Sequence, residues 1–131
     1  EYMWSDGVTF VEPVSIPART YMKFCLLWTQ KQLKDPMLVP STSDASYPKD
    51  AHSTWKMVYR RLFRVYAHLY INHQDDFDKH GVMGAVLNCM LRRLILFGIE
   101  GKLTSKKELE PVKLILKKIK KELLTNEEYK K

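Results

Sequence analysis

The sequence has little of several features that define particular classes of protein. It contains 2 cysteines, 5 glycines and 6 prolines among 131 residues. Two cysteines cannot form a disulfide framework, and so few are typical of a reducing, intracellular setting. The low glycine and proline content excludes a collagen-like or low-complexity chain. The longest strongly apolar run, Leu94 to Ile99, is far shorter than the ~20 residues of a membrane-spanning helix.

The sequence also lacks the common motifs of enzymes. It contains no glycine-rich phosphate-binding loop, no nucleophile elbow and no HExxH metal motif. The candidate acid–base carboxylates, Asp75, Asp76 and Asp78, crowd into one segment that we expect to be an exposed connection. We therefore expect a protein that is not an enzyme.

Composition instead predicts one globular domain over residues 1–131 with a preference for acidic partners. Hydrophobic residues make up 45% of the chain, which is enough for a core, and the net charge is +7. Nucleic acid, phosphopeptides and anionic lipid all fit such a charge. The positive residues form an arginine group at 60–64, joined later by Arg92 and Arg93, and a lysine-rich tail from Lys102 onward. Lysine tails of this kind are usually solvated helix faces.

Local patterns predict a small β-hairpin followed by helices. Tyr2–Trp4 and Val8–Val11 flank an Asp6-Gly7 pair, which favours a tight turn. Pro17 suits the start of a helix, within which aromatic residues recur at helical spacing. The proline-containing segment 35–50 is expected to be a loop.

Three further helices are expected after this loop. One covers about 54–70 and a second about 85–97, separated by the polar connection that holds the three aspartates and ending near Gly98 and Gly101. Ser105 and Glu108 have the spacing of a capping box before a last helix that begins near Pro111. The predicted fold is mostly α, a helical bundle with a small N-terminal β-hairpin.

The helix over 54–70 concentrates positive charge on one side. Apolar residues line one face, and Arg60, Arg61 and Arg64 are predicted to project from the other. Arginine presents a planar fork of donors that matches the oxygens of a phosphate group. The three arginines are therefore a candidate phosphate-binding site. A solvated basic face, or pairing with the aspartates at 75–78, would explain the same pattern.

Two histidines of the same segment have a spacing used by zinc sites. His68 and His73 have four residues between them. On an uninterrupted helix their side chains leave the axis about 140° apart, so we expect both to reach one ion only if the helix ends or bends after Tyr70. Cys25 and Cys89 have no nearby cysteine partner, and each is expected to be a buried free thiol.

The segment RRLFRVYAHLYINH, from Arg60 to His73, resembles the signature helix of the Mob family of kinase activators. EYMWSDG at 1–7 is similar to the family's aromatic, acidic and glycine turn. The similarity continues through Pro17, Trp28 and the Tyr47-Pro48-Lys49 linker to Pro111, and is weakest from Gln74 to Arg93.

The resemblance implies a non-catalytic adaptor with a helical core. Mob proteins bind and activate NDR- and LATS-type kinases, and they dock phosphorylated threonine or serine segments of upstream Hippo-type kinases or scaffolds. In their best-known subclass three basic residues of the signature helix hold the phosphate, and these positions match Arg60, Arg61 and Arg64. The same likeness implies a role in the cell cycle and mitosis, and a location in the cytoplasm, the nucleus or at spindle poles.

The family also carries a structural zinc ion held by two cysteines and two histidines, and those histidines correspond to His68 and His73. The family's cysteines, like its acidic kinase-docking helix, precede the segment that corresponds to Glu1. The resemblance therefore places half of the zinc site in this sequence, and the sequence leaves open whether this is one half of a complete site or a zinc-free variant.

Two other functions fit the sequence. The chain could be a Mob-related scaffold subunit of a phosphatase–kinase assembly, in which the basic face would matter less. A basic helical domain that binds nucleic acid nonspecifically is the reading from a different class, although the aromatic residues fall at core spacing and not as a stacking platform for bases.

Overall fold

The computed structural model describes residues 1–42, 44 and 46–125, with the backbone only at 83, 119 and 122–125. Its elements in chain order are β1 (Tyr2–Trp4), β2 (Val14–Ile16), α1 (Ala18–Lys34), α2 (Ala51–Lys79), α3 (Val82–Glu100), a 3₁₀ turn (Glu110–Val112) and α4 (Lys113–Thr125). The prediction of a mostly α fold with a small N-terminal sheet is confirmed. Among these described helices, none combines the length and the apolar character needed to cross a membrane.

The sheet differs from the predicted hairpin in its second strand. β1 pairs in antiparallel fashion with β2, in the register Tyr2 to Ile16 and Trp4 to Val14. The segment after Asp6-Gly7 is a loop, because the Asp6 carboxylate accepts hydrogen bonds from the backbone N–H groups of Val8, Thr9 and Phe10 at 3.0, 2.8 and 2.8 Å. Those bonds hold Val8–Phe10 in a compact loop, so the chain reaches its partner strand only at Val14.

Helix α1 begins directly after Pro17, as predicted, because proline at this position fixes φ without removing a needed donor. Tyr21 and Cys25, one turn apart, are buried. Tyr21 packs edge-on against the buried Trp4 with ring centres 5.5 Å apart. This aromatic contact joins α1 to the strand β1.

Helix α2 is longer than predicted at both ends, and the expected polar connection at 75–80 is mostly helix. Asp75, Asp76 and Asp78 lie within α2. Asp76 accepts from Lys79 and His73 on the same helix, at 3.8 and 3.4 Å, and such pairs three residues apart support a helix. The chain changes direction at Gly81, where φ is +63°, a value that favours glycine.

Helix α3 begins three residues earlier and ends three residues later than predicted. Gly98 lies inside it, and Gly101 caps its end by donating to the Phe97 and Ile99 carbonyls. Leu91 and Ile95 are fully buried, as is Val112 of the 3₁₀ turn. These buried apolar side chains belong to the core of the second half of the chain.

The predicted capping box is confirmed. The backbone N–H of Ser105 donates to the Glu108 carboxylate at 2.9 Å, and the Glu108 N–H donates to the Ser105 hydroxyl at 3.4 Å. The pair closes a turn at 105–108. The 3₁₀ turn follows it, and α4 begins at Lys113. Cys25 is buried as expected, but Cys89 is exposed, because it lies on the outer side of α3.

The chain divides into two compact units, Glu1–Leu62 and the residues from Phe63 onward. The boundary falls inside α2, which therefore contributes to both. The single domain over 1–131 stays a prediction.

Candidate functional site

The basic face of α2 is built from two arginines that project into solvent. Arg60 and Arg64 are both exposed and lie four residues apart on one helix. Side chains at this spacing are neighbours on a helix surface. Both carry their charge at any physiological pH. The helix therefore carries two adjacent, accessible guanidinium groups, and their role in binding phosphate stays a prediction.

Arg61 is placed differently from its two neighbours. Its guanidinium carbon lies 4.5 Å from the centre of the Trp4 ring and 4.2 Å from that of Trp28. Its Nη2 donates to the Ser5 carbonyl at 2.6 Å. The expectation that all three arginines project away from the core is thus wrong for Arg61, which is half-buried.

The position of Arg61 around the helix explains this burial. It follows the buried Val58 by three residues, which places it about 60° from that residue and at the edge of the apolar face. Trp4 and Trp28 cover this edge. An arginine with its cation between two indole rings keeps favourable electrostatic contacts that replace part of its lost hydration. Sequence reasoning placed Trp28 at core spacing and Trp4 in the hairpin, and it missed the contact of both rings with Arg61.

The two histidines come close together although the helix does not end. His68 and His73 both lie within α2, and their ring centres are 5.2 Å apart. The expected end of the helix after Tyr70 is absent, since α2 continues to Lys79. That both rings reach one ion stays a prediction. Burial and the nearby His73 lower the pKa of His68.

The surroundings of the imidazoles fit two ligands of a metal site. The His68 Nδ1 contacts the Asn72 amide nitrogen at 3.2 Å, and the His73 Nδ1 contacts the Asp76 carboxylate at 3.4 Å. Hydrogen-bond partners of this kind fix ring orientation in metal-binding histidines. Within residues 1–42, 44 and 46–125, however, no group of three or more His, Cys, Asp or Glu side chains could hold a metal. The described residues thus bring two imidazoles together, whereas a tetrahedral zinc site needs four donors.

The lysine-rich tail behaves as a solvated surface in its described part. Lys106, Lys107, Lys117 and Lys118 are all exposed. Lys113 pairs with Glu110 at 2.8 Å, and this contact raises the pKa of the lysine and lowers that of the glutamate. Both side chains are exposed, so the pair contributes little to stability.

Comparison with known proteins gives matches over the strands and helices described above. Residues 1–112 match the profile of the Mob1/phocein family. The chain belongs to the Mob1/phocein family. The match includes both strands, α1 to α3 and the 3₁₀ turn, and so covers the arginines and histidines of α2.

Similar proteins are found in a slime mould and a plant. The chain is 38% identical over 119 residues to MOB kinase activator-like 1 homolog C of Dictyostelium discoideum, which covers 91% of the chain and 55% of that relative. It is 36% identical over 121 residues to MOB kinase activator-like 1A of Arabidopsis thaliana, with the same two coverages. The chain therefore spans about half the length of the curated relatives it matches.

Proposed function

We propose that this chain is a non-catalytic adaptor that activates a protein kinase of the NDR/LATS type while holding a phosphorylated segment of an upstream Hippo-type kinase or scaffold. Membership of the Mob1/phocein family and likeness to proteins named MOB kinase activator-like 1 support the kinase role. The adjacent exposed guanidinium groups of Arg60 and Arg64 on α2 support the phosphate-binding role.

The three arginines have two different roles in this proposal. Arg60 and Arg64 make the direct contacts with a phosphothreonine or phosphoserine, since both extend into solvent. Arg61, bound to the Ser5 carbonyl and stacked between two indoles, fixes the rotation of α2 against β1 and α1 and adds its positive charge. A phosphate carries three acceptor oxygens and close to two charges, so two arginine forks suffice to bind it.

Peptide titration tests the phosphate-binding role directly. A threonine peptide would be compared in phosphorylated and unphosphorylated form against the parent chain, Arg60→Ala, Arg64→Ala and Arg93→Ala. Arg93, exposed on α3, is the matched control. Loss of a charge-assisted hydrogen bond contributes about 1.5–3 kcal/mol, so each α2 variant should bind about 10- to 100-fold more weakly. Equal binding of the two peptide forms would reject the site.

Kinase activation needs a separate measurement. Activity of an NDR/LATS-type kinase would be measured with and without the chain, and with a version extended to the length of its relatives. Stimulation by either one supports the adaptor role. The role would be contradicted if neither version stimulated the kinase or co-purified with it, whatever the outcome of the peptide titration.

The alternative functions make different predictions. Nonspecific binding of nucleic acid would weaken steeply with salt and would not be displaced by a phosphopeptide. A scaffold of a phosphatase–kinase assembly would retain its partners after Arg60→Ala and Arg64→Ala. Competition between oligonucleotide and phosphopeptide, followed by pull-down with the double variant, separates the three functions.

We also propose that His68 and His73 are two ligands of a structural zinc ion whose other ligands are cysteine thiolates. Their proximity and their contacts with Asn72 and Asp76 support this assignment. Zinc bound there would stabilise this part of α2. Metal content would be measured for the chain and for a version extended at its N-terminus by the corresponding length of a relative. Failure of the longer version to retain zinc, or retention unaffected by His68→Ala, would reject the assignment.

A further inference from the structure

Helix α1 borders an aromatic cleft that the arginines of α2 do not account for. The cleft has a volume of about 470 Å³ and lies between the 6–10 loop and α1. Phe10, Phe24 and Trp28 contribute its aromatic surface, and Leu27 and Lys31 stand at its edge. Ligand pockets in proteins range over about 300–1,000 Å³, so this cleft can hold one or two large side chains.

The cleft continues along α1 into a shallower depression. Leu27, Lys31 and Gln32 line both, and Lys34 and Asp35 line the second. Together they form a groove, here termed the α1 groove, that runs from an aromatic end to a basic end. A linear peptide segment fits such a groove better than a compact small molecule, because its two ends differ in chemistry.

The charge of α1 indicates what kind of segment would bind. Between Ala18 and Lys34 the helix contains Arg19, Lys23, Lys31 and Lys34 and no acidic residue. Lys23, Lys31 and Lys34 fall within about 80° of one another around the helix, on the same side as Leu27. Leu27 is 56% exposed in the middle of this basic stripe, so an apolar side chain is accessible to a partner between the lysines.

The two acidic residues that line the groove, Asp6 and Asp35, both accept backbone hydrogen bonds. The Asp6 carboxylate accepts three from its own loop, and those bonds lower its pKa. The Asp35 carboxylate accepts one from the Met37 N–H at 2.9 Å. The three lysines of the basic stripe outnumber these two carboxylates, beside an aromatic surface.

We infer that the α1 groove is a docking site for an acidic linear segment of a protein partner, anchored by an aromatic or large aliphatic side chain. The anchor occupies the aromatic cleft against Trp28, and flanking Asp or Glu residues pair with Lys31 and Lys34. None of the three α2 arginines lines this groove, and the inference requires no phosphate group and does not depend on the proposed function.

Selection from a library of random 12-residue unphosphorylated peptides displayed on phage tests this inference. The full chain would serve as bait, and the affinity of synthetic versions of the selected peptides would be measured by fluorescence anisotropy. Selected peptides should be enriched in Asp and Glu around Phe, Trp or Leu. Replacing the apolar anchor by Ala should weaken binding at least 10-fold.

Variants of the chain locate the binding surface. Lys31→Glu with Lys34→Glu should weaken binding at least 10-fold, since two attractions become repulsions, and Leu27→Asp should have a similar effect. Lys117→Glu with Lys118→Glu, an equal charge change on exposed α4 positions, and Arg60→Ala with Arg64→Ala should change affinity less than 2-fold. Circular dichroism checks that each variant is folded, and Leu27→Ala replaces Leu27→Asp if the latter is not.

Several outcomes would overturn the inference. They are the absence of any selected binder, peptides without acidic enrichment, and peptides whose affinity is indifferent to the anchor or to the groove variants. Displacement of the peptides by a single-stranded oligonucleotide that binds more tightly would assign the groove to nucleic acid instead. The phosphopeptide titration is unaffected by any of these results, so the two proposals fail independently.

Discussion

The guanidinium carbon of Arg61 lies 4.2 Å from the centre of the Trp28 ring and 4.5 Å from that of Trp4. The same group donates to the Ser5 carbonyl at 2.6 Å. One side chain of α2 is thus in contact with β1, the loop that follows it and α1. Because Arg61 adjoins Arg60 in the chain, these contacts also hold the part of α2 next to Arg60 against β1 and α1.

Replacement of Arg61 should destabilise the fold more than replacement of either neighbour. Two cation–π contacts and a hydrogen bond to a charged donor together predict a loss of about 2–4 kcal/mol for Arg61→Ala. Arg61→Lys should lose less, since an ammonium keeps the charge but not the planar stack. Arg60→Ala, on the exposed face, should stay within about 0.5 kcal/mol. Urea unfolding of the three variants measures the differences. Equal stability of Arg61→Ala and Arg60→Ala would show that the contacts of Arg61 do not stabilise the fold.

Asp6 predicts a specific pH dependence of stability. Its three backbone hydrogen bonds lower the pKa of the folded carboxyl below the ordinary value of 3.8. A group whose pKa is lower in the folded state contributes stability above its unfolded pKa and loses it as the pH falls through the folded pKa. The charge-specific part of this contribution is therefore complete at neutral pH and disappears in strong acid.

The variant Asp6→Asn isolates that effect, because asparagine keeps an oxygen acceptor but carries no charge. The parent chain should be more stable than Asp6→Asn at pH 6, and the difference should shrink as the pH is lowered below 3.8. Thermal unfolding at a series of pH values measures it. A difference that stays constant down to pH 2 would show that charge plays no part in holding the loop.

Features fixed by neighbouring residues could be predicted from the sequence. The start of α1 after Pro17 and the Ser105–Glu108 capping box depend on contacts within one turn, which spacing alone reveals. The strand that pairs with β1 could not be predicted in the same way. Asp6-Gly7 indicated where the chain turns, but the three hydrogen bonds of the Asp6 carboxylate lengthen the loop before pairing resumes at Val14.

The candidate site shows the same limit. A helical wheel correctly put Arg60 and Arg64 on the exposed side of α2, because their angles follow from the helix repeat. It could not show that Trp4 and Trp28, distant in the chain, meet Arg61 at the edge of that face. The α1 groove was missed for a related reason, since Leu27 and Lys31 gain significance only when the 6–10 loop lies beside them.

The geometry of arginine predicts that lysine will not replace it fully at the phosphate. Arg64→Lys keeps the positive charge but loses the planar fork that binds two oxygens at once. Affinity for the phosphopeptide should fall about 3- to 10-fold, less than for Arg64→Ala, and the same order should hold at position 60. Isothermal titration in 150 mM salt, where the Debye length is about 8 Å, separates the two variants. Full retention by Arg64→Lys would show that charge alone determines binding.

The break between α2 and α3 should depend on the glycine at its centre. Gly81 has φ +63° and ψ −100°, and an added Cβ would meet no atom within 4 Å. Any cost of Gly81→Ala is therefore conformational and not a steric clash, and backbone of this kind costs about 1–3 kcal/mol for residues other than glycine. The neighbouring Val82→Ala, at a position 77% exposed, serves as control and should change stability by less than about 0.5 kcal/mol. Chemical unfolding of both variants decides the matter, since a Gly81→Ala chain as stable as Val82→Ala would mean that the helices can join without a positive φ at this residue.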